Sequence, residues 1–341
     1  MTALLSVRDL KVHFPLPRRG LFGPRRAVHA VDGISFEIAR GETFGIVGES
    51  GSGKSTTALA VMRLVPITAG NVALGELPLS SLGGHALRAA RRRLQIIFQD
   101  PYSSLNPRFR AGAIVREPMD LMGIGSPAER TARVAELFRN VGLRPEQQAL
   151  FPHQFSGGQR QRIGIARALA TQPELIVCDE PVSALDVAIQ AQILNLLQRL
   201  QRDFGLTYLF ISHDLGVVQY MCDHVAVMYL GCIVEQGDRV SLFRQPMHPY
   251  TAALLAAVPS ADLAKNRARR RIKVTGDPPS PIDPPPGCRF AGRCAFAEPR
   301  CHTEVPRLRE VRPGHRVACH LVDDAGIGPH LRAERAAVPA G

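Results

Sequence analysis

The run Gly48-Glu49-Ser50-Gly51-Ser52-Gly53-Lys54-Ser55 constrains this chain more than any other feature. Its pattern is G-x4-G-K-S. An apolar segment, Thr43–Val47, precedes it, and a helical pattern, Lys54–Leu64, follows. A glycine-rich turn between a buried strand and a helix lets backbone N–H groups approach an anion, and the helix N-terminus adds partial positive charge. Phosphate is the anion that this arrangement suits. In that reading Lys54 bridges β- and γ-phosphates, Ser55 ligates Mg²⁺ and Thr56 offers a hydroxyl to the α-phosphate.

Lysine usage points the same way. Only four of the 42 Lys and Arg residues are lysine: Lys11, Lys54, Lys265 and Lys273. A compact ammonium fits a phosphate cradle where a planar guanidinium does not. Further along, Leu175–Glu180 reads LIVCDE, an apolar strand ending in two acids. Asp179 is suited to hold Mg²⁺ through water, and Glu180 to activate an attacking water. An acid pair capping a helix after a buried strand has the same appearance. Phe155–Gln159 reads FSGGQ, about a hundred residues after the glycine-rich turn. Ser156 and Gln159 have capping-box spacing, so a helix starts there and its free N–H groups face an anion or simply cap.

The rest of the pattern alternates strands and helices. Val7–Leu10, Ile34–Ile38, Leu94–Phe98, Tyr208–Ile211 and Val225–Tyr229 read as strands. Gln159–Ala170 and Ala188–Arg202 read as helices, the second with an apolar stripe of Ile189, Ile193, Leu196, Leu197 and Leu200. Residues 101–150 read as a helical insertion. Strands alternating with helices predict an α/β core with a parallel sheet. Pro15–Arg26 reads as a basic surface loop, and Pro278–Gly287 as a proline-rich linker. The last twenty or so residues are predicted to be loosely ordered.

The formal charge is +12, and residues 261–341 supply half of it, with 15 Lys+Arg against 9 Asp+Glu. No aromatic-interleaved basic stripe accompanies that charge, so a solvated Arg-rich surface is the reading, without nucleic acid as a partner. No apolar run approaches the ~20 residues that cross a bilayer, and the start lacks a secretory pattern. If the protein works at a membrane, other chains do the crossing.

Taken together, the glycine-rich loop, FSGGQ, LIVCDE and their order resemble the nucleotide-binding subunit of an ABC transporter. The resemblance covers roughly residues 4–260. It implies an ABC-type P-loop fold: a RecA-like core, an antiparallel β subdomain and a helical subdomain near residues 100–165. It makes Gln99, at the end of LQIIFQ, a sensor of Mg²⁺ and the attacking water. It makes His213, in ISHD, a γ-phosphate contact that holds the catalytic geometry. It makes Ser156, Gly157, Gly158 and Gln159, with Asp186 of the SALD run, contacts to ATP held by a second subunit. An aromatic residue stacks on adenine; Phe14 is the candidate by spacing and His13 the alternative. FSGGQ departs from the commoner LSGGQ at its first residue only.

Within that family, FQDPYSSLNPR (Phe98–Arg108), DEPVSALDV and HPYTAALLAAVP (His248–Pro259) look like the oligopeptide/dipeptide importer ATPases, a group that includes nickel importers. The first run looks closer to the second ATPase subunit of such importers. The implied partners are a sister ATPase, two membrane permease subunits and an extracytoplasmic solute-binding protein. The implied place is the cytoplasmic face of the inner membrane, as a peripheral subunit. Ribosome-associated relatives usually carry two cassettes in one chain, and DNA-repair relatives split the cassette with a coiled coil; neither feature is present. The tail, residues 261–341, is expected to form a separate extension. Cys178, Cys222 and Cys232 read as core residues. Cys288, Cys294, Cys301 and Cys319 have the spacings x5, x6 and x17, with His320 adjacent. Clustered cysteines without a secretory context favour metal over disulfide. The spacing resembles an importer motif that can hold a [4Fe–4S] cluster; zinc and free thiols remain open alternatives.

Overall fold

The protein is described by a computed structural model covering residues 3–17, 26–257, 274 and 276–331. The chain opens with two long antiparallel strands, β1 (Ala3–Pro15) and β2 (Ala27–Ala39). Strand β3 (Thr43–Val47) and helix α1 (Lys54–Val61) flank the glycine-rich loop. Next come β4 (Ala69–Leu74), α2 (Gly84–Ala90) and β5 (Leu94–Ile97). The expected helical insertion holds α3 (Ala111–Leu121), α4 (Pro127–Asn140) and 3-10 turns, and α5 (Gly157–Leu169) follows it. Then β6 (Leu175–Asp179), α6 (Val187–Phe204), β7 (Thr207–Ser212), α7 (Leu215–Met221), β8 (His224–Tyr229) and β9 (Cys232–Asp238) alternate. Helices α8 (Arg239–Arg244) and α9 (Pro249–Ala257) lead toward the tail, which contains α10 (Pro299–Thr303), β10 (Arg309–Arg312) and β11 (His315–Val317).

Two sheets result. The small one has the order β2-β1-β4 and is antiparallel. The large one has the order β10-β11-β9-β8-β3-β7-β6-β5, with parallel pairing from β8 through β3, β7 and β6 to β5. Its central strands read as unbroken apolar runs because both faces are covered. Alternation then sorts side chains between two cores. Ile176, Cys178, Tyr208 and Phe210 enter the core shared with the helical insertion. Leu175, Val177, Leu209 and Ile211 enter the core shared with β1, β2 and α1. Each side chain is essentially solvent-free, worth about 1.5–3 kcal/mol for a large apolar group relative to exposure.

The first strands run well beyond the expected Val7–Leu10 and Ile34–Ile38. Their pairing carries bulges, one of them between Val7 and Leu10, which break the period-2 pattern that marks a strand. β4, β9, β10 and β11 are also additions to the sequence reading. The Pro278–Gly287 segment lies along β2, where His29 N–H donates to the Pro281 carbonyl at 2.8 Å. Residues 322–331 are packed rather than loosely ordered: Val322 and His330 are buried, and His330 Nε2 lies 3.0 Å from the Pro246 carbonyl. Most of the basic loop at 15–26 and the arginine run at 266–271 lie outside the described residues. Among the described residues no helix is long and apolar enough to cross a membrane.

The tail completes the large sheet. Strand β11 pairs with β9, and the buried Glu235 of β9 sits at the join. Its carboxylate accepts from Met247 N–H at 2.7 Å and His248 N–H at 2.9 Å, and lies 2.8 Å from His315 Nε2. Removing that carboxylate orphans three buried nitrogens at once. Glu235→Ala is therefore expected to lower unfolding stability by about 3–5 kcal/mol, measured by denaturant melts. His248 beside it accepts from Tyr250 N–H through Nδ1 at 3.0 Å, which requires a neutral ring. Burial holds its pKa down at about 4, with Glu235 opposing. The unfolded chain takes up this proton near pH 6.5 and the folded one does not, so the contribution is present above that pH. Stability is expected to fall by up to about 3 kcal/mol between pH 6.5 and 4 in melts, an effect that His248→Asn should flatten.

Candidate nucleotide site

Four loops meet at the carboxyl ends of β3, β5, β6 and β7. The glycine-rich loop leaves β3 tightly packed on both sides. A Cβ on Gly48 would lie 2.1 Å from the Met228 carbonyl oxygen, and one on Gly53 would lie 2.1 Å from that of Ala30. Gly53 also has φ of 104°, which disfavours any side chain. Close backbone approach thus fixes where the loop's N–H groups and the start of α1 stand. Lys54 is buried and its Nζ donates to the carbonyls of Gly48 at 2.9 Å and Glu49 at 2.8 Å. Burial pushes its pKa down, against the pull of Glu180, Asp179 and Glu49. Ser52 Oγ is buried with no hydrogen-bond partner in the protein, a polar atom suited to an incoming oxygen. Ser50 and Gly51 are exposed on the loop's outer turn, and Thr56 is half-buried on α1.

Ser55 Oγ donates to Asp179 Oδ1 at 2.9 Å across the gap between α1 and β6. Burial raises the Asp179 pKa, the Ser55 bond opposes it, and nearby Glu180 adds to it. A cation between these oxygens would reverse that balance, and the hydroxyl–carboxylate pair is a hard-oxygen set that suits Mg²⁺. One residue on, Glu180 has φ of 47°, a left-handed conformation that non-glycine residues adopt at a cost. Its Oε2 accepts from Gln99 Nε2 at 3.0 Å and lies 3.0 Å from His213 Nδ1. Its backbone N–H donates to Ile211 at 3.0 Å, tying it to β7. The structure thus joins Gln99, Glu180 and His213 around one carboxylate, beside the Lys54–Ser55–Asp179 group.

FSGGQ stands apart from these loops. Ser156 caps α5: its Oγ accepts from Gln159 N–H at 3.3 Å, and Gln159 Oε1 accepts from Ser156 N–H at 3.0 Å. A Cβ on Gly158 would lie 2.5 Å from Ile189 Cγ2, so α5 and α6 touch there. Gly157 lies against Leu185 of the SALD loop, and Asp186 caps α6 by accepting from Ile189 N–H at 3.0 Å. No hydrogen bond among the described residues joins this surface to Gly48–Thr56. Ala184, Asp186 and Val187 are exposed there, Val187 at 82 %.

Phe14, on the edge of β1, is 38 % exposed. His13 is engaged elsewhere: its Nε2 lies 3.0 Å from Asp32 Oδ1, and its ring sits 4.1 Å from that of His29. In the tail, Cys288, Cys294, Cys301 and Cys319 line one small pocket with His248 and His320. None of the four cysteines is in a disulfide. Burial raises Cys288 to about 12 and Cys294 to about 11, so both stay protonated unless a cation displaces the proton. Sequence reasoning missed two residues that hold the glycine-rich loop from behind. Tyr250 Oη accepts from Glu49 N–H at 3.0 Å, and Arg293 pairs with the Glu49 carboxylate at 2.8 Å. Neither carries a motif signal that reaches across more than 200 residues.

Residues 31–183 match the family described as ABC transporter, and residues 234–301 match the one described as Oligopeptide/dipeptide transporter, C-terminal region. The oligopeptide transport ATP-binding protein AppF of Bacillus subtilis (strain 168) is 49 % identical over 320 residues, covering 93 % of this chain and 97 % of AppF. The chain belongs to the ATP-binding subunits of ABC transporters. It is an ABC ATPase. Among solved structures, the ATP-binding cassette MJ0796, dimeric and bound to ADP and Pi, is 28 % identical with a TM-score of 0.61. That match covers 69 % of this chain and 98 % of MJ0796. CbiO1 of Clostridium perfringens, part of the transporter complex cbiONQ, is 26 % identical with a TM-score of 0.62, covering 72 % and 92 %.

Among the described residues, the Glu180 carboxylate is bonded by both Gln99 and His213. Glu180→Gln is expected to lower the ATP hydrolysis rate by 10²–10⁴-fold while leaving ATP affinity within a few-fold, measured by phosphate release and nucleotide titration.

Proposed function

We infer that this ABC ATPase powers import of di- and oligopeptides through separate membrane permease subunits. The observation that carries the reading is full-length similarity to an oligopeptide transport ATP-binding protein, running through the tail as well as the cassette.

In this reading two ATPase subunits close around two ATP molecules. Lys54 and the loop N–H groups of Gly48–Thr56 hold the phosphates, and Phe14 stacks on adenine. Ser156, Gly157, Gly158, Gln159 and Asp186 contact the ATP held by the partner. Ser156 and Asp186 are exposed, and no hydrogen bond among the described residues joins this group to its own phosphate loop; that supports the reading, because residues built to serve a second subunit need not reach the first. The exposed Ala184 and Val187 support burial of the same surface in a dimer. Ser55 and Asp179, with Gln99, would hold Mg²⁺, which would neutralise phosphate charge. Glu180 takes a proton from the attacking water, His213 keeps the carboxylate oriented, and Gln99 aligns the water. Subunit closure on binding and reopening after hydrolysis then bias the permease between its two states. A sister ATPase, two permease subunits and an extracytoplasmic binding protein complete the assembly, at the cytoplasmic face of the inner membrane. We assign residues 1–260 to the ATPase domain, with the tail as an extension docked on it through β11 and β9.

The four tail cysteines would hold a [4Fe–4S] cluster, which would staple the tail. The four thiols line one pocket, which supports a shared site for them, with zinc as the alternative occupant.

Deleting the gene is expected to abolish uptake of labelled di- and oligopeptides, and the wild-type chain but not Glu180→Gln restores it. Purification of the native complex should recover two polytopic membrane proteins and a second ATPase. Unchanged peptide uptake with lost nickel uptake would move the protein to the nickel group, and recovery of ribosomes or repair factors would end the transporter reading.

A further inference from the structure

The loop between the first two tail cysteines reads Cys288-Arg289-Phe290-Ala291-Gly292-Arg293-Cys294. It is built into the cassette. Phe290 is buried, its ring centroid 5.3 Å from those of Tyr229 and Tyr250. Arg289 donates to the Leu230 carbonyl and to Asp32 of β2. The next residue, Gly231, donates its N–H to the Ser52 carbonyl at 2.8 Å, inside the phosphate loop. Cys288 N–H donates to the Cys301 carbonyl at 2.7 Å, so the cysteine module fixes where this loop begins.

Arg293 makes the direct link. Its guanidinium donates to Glu49 Oε2 at 2.8 Å and Oε1 at 3.3 Å, a fork on one carboxylate. The side chain is 11 % exposed and rests over the Tyr229 ring at 5.8 Å. Glu49 is the second residue of the phosphate loop. Its N–H is bonded to Tyr250 and its carbonyl accepts Lys54 Nζ at 2.8 Å. Glu49, whose carbonyl accepts from Lys54, is therefore held at its amide by α9 and at its side chain by the tail.

We propose that Arg293 is a positioning residue for ATP: through Glu49 it fixes the loop segment that orients Lys54 and masks a carboxylate that would otherwise repel the phosphates. Two effects follow when the guanidinium is lost. The Glu49 side chain becomes free to move its own backbone, and its charge stands unneutralised next to a tri-anionic or tetra-anionic ligand in a partly enclosed site. Both weaken nucleotide binding more than they slow the bond-breaking step. Arg293 itself touches no substrate.

The test rests on the ATPase activity assigned above and uses the full chain in its native complex, with kcat and KM for ATP measured. Arg293→Ala is expected to raise KM about tenfold with kcat within about threefold of wild type. Glu49→Gln combined with Arg293→Ala should recover part of the Arg293→Ala loss, because no carboxylate is left unmasked although the loop stays untied. Arg293→Lys, which keeps the charge but loses the fork, should fall between and serves if the alanine variant does not assemble. Arg300→Ala is the control. It breaks a pair with Glu298 and a bond to the His320 carbonyl in the same module without reaching the loop, and should leave KM unchanged. A KM within twofold of wild type for both Arg293 variants would overturn the proposal. So would a loss that Glu49→Gln does not relieve, or one that Arg300→Ala reproduces. An inactive wild-type complex would instead refute the ATPase assignment.

Discussion

The nucleotide site depends on the parallel register of four adjacent strands. In β5, β6, β7 and β3 the chain always leaves the sheet at the same edge, so the residues following each strand converge without any contact between them in sequence. Gly48 follows β3, Gln99 follows β5, Glu180 follows β6 and His213 follows β7. Open parallel sheets place ligands at their carboxyl edge for this reason. The register itself is secured by burial on both faces. A one-residue slip of β6 would exchange Ile176 and Cys178 for Leu175 and Val177 between two differently shaped cores.

That rigidity permits strain where chemistry needs it. Glu180 keeps a left-handed backbone because its N–H is tied to Ile211 and its carbonyl accepts from Ser183 Oγ at 3.1 Å. The turn swings the carboxylate back over the sheet edge toward Gln99 and His213, instead of letting it follow α6 outward. The buried Lys54 and Asp179 are a second form of the same device. Each is held in surroundings that disfavour its own charge, which a ligand of opposite sign would offset.

Much of this was legible in the sequence, because the residues concerned act close to where they stand in the chain. The phosphate loop needs glycines at fixed offsets, a strand before and a helix after, and all are local. Ser156 and Gln159 announced the start of α5 through a capping box that the structure contains. What escaped reading is non-local. β10 and β11 are short, rich in arginine and without periodicity, and become strands only because β9 offers an edge. Glu235 stands on β9, a strand that the sequence reading did not contain. Its burial becomes intelligible only with His315, 80 residues away, in view. The bulged ends of β1 and β2 disguised their length in the same way, since a bulge erases the alternation on which strand reading depends.

The Arg293–Glu49 bond spans 244 residues of chain. A ribosome adding about 5–20 residues per second needs roughly 12–50 s to cross that interval. The phosphate loop is thus made early, and Arg293, the later of its two rear supports after Tyr250, is made long after it. A nascent cassette would pass through a long period with its strands in place and Glu49 still unmasked. Contacts of such long sequence separation also form slowly in folding. The order of synthesis therefore delays a fully supported phosphate loop until the Cys288–Cys294 loop has been made and docked.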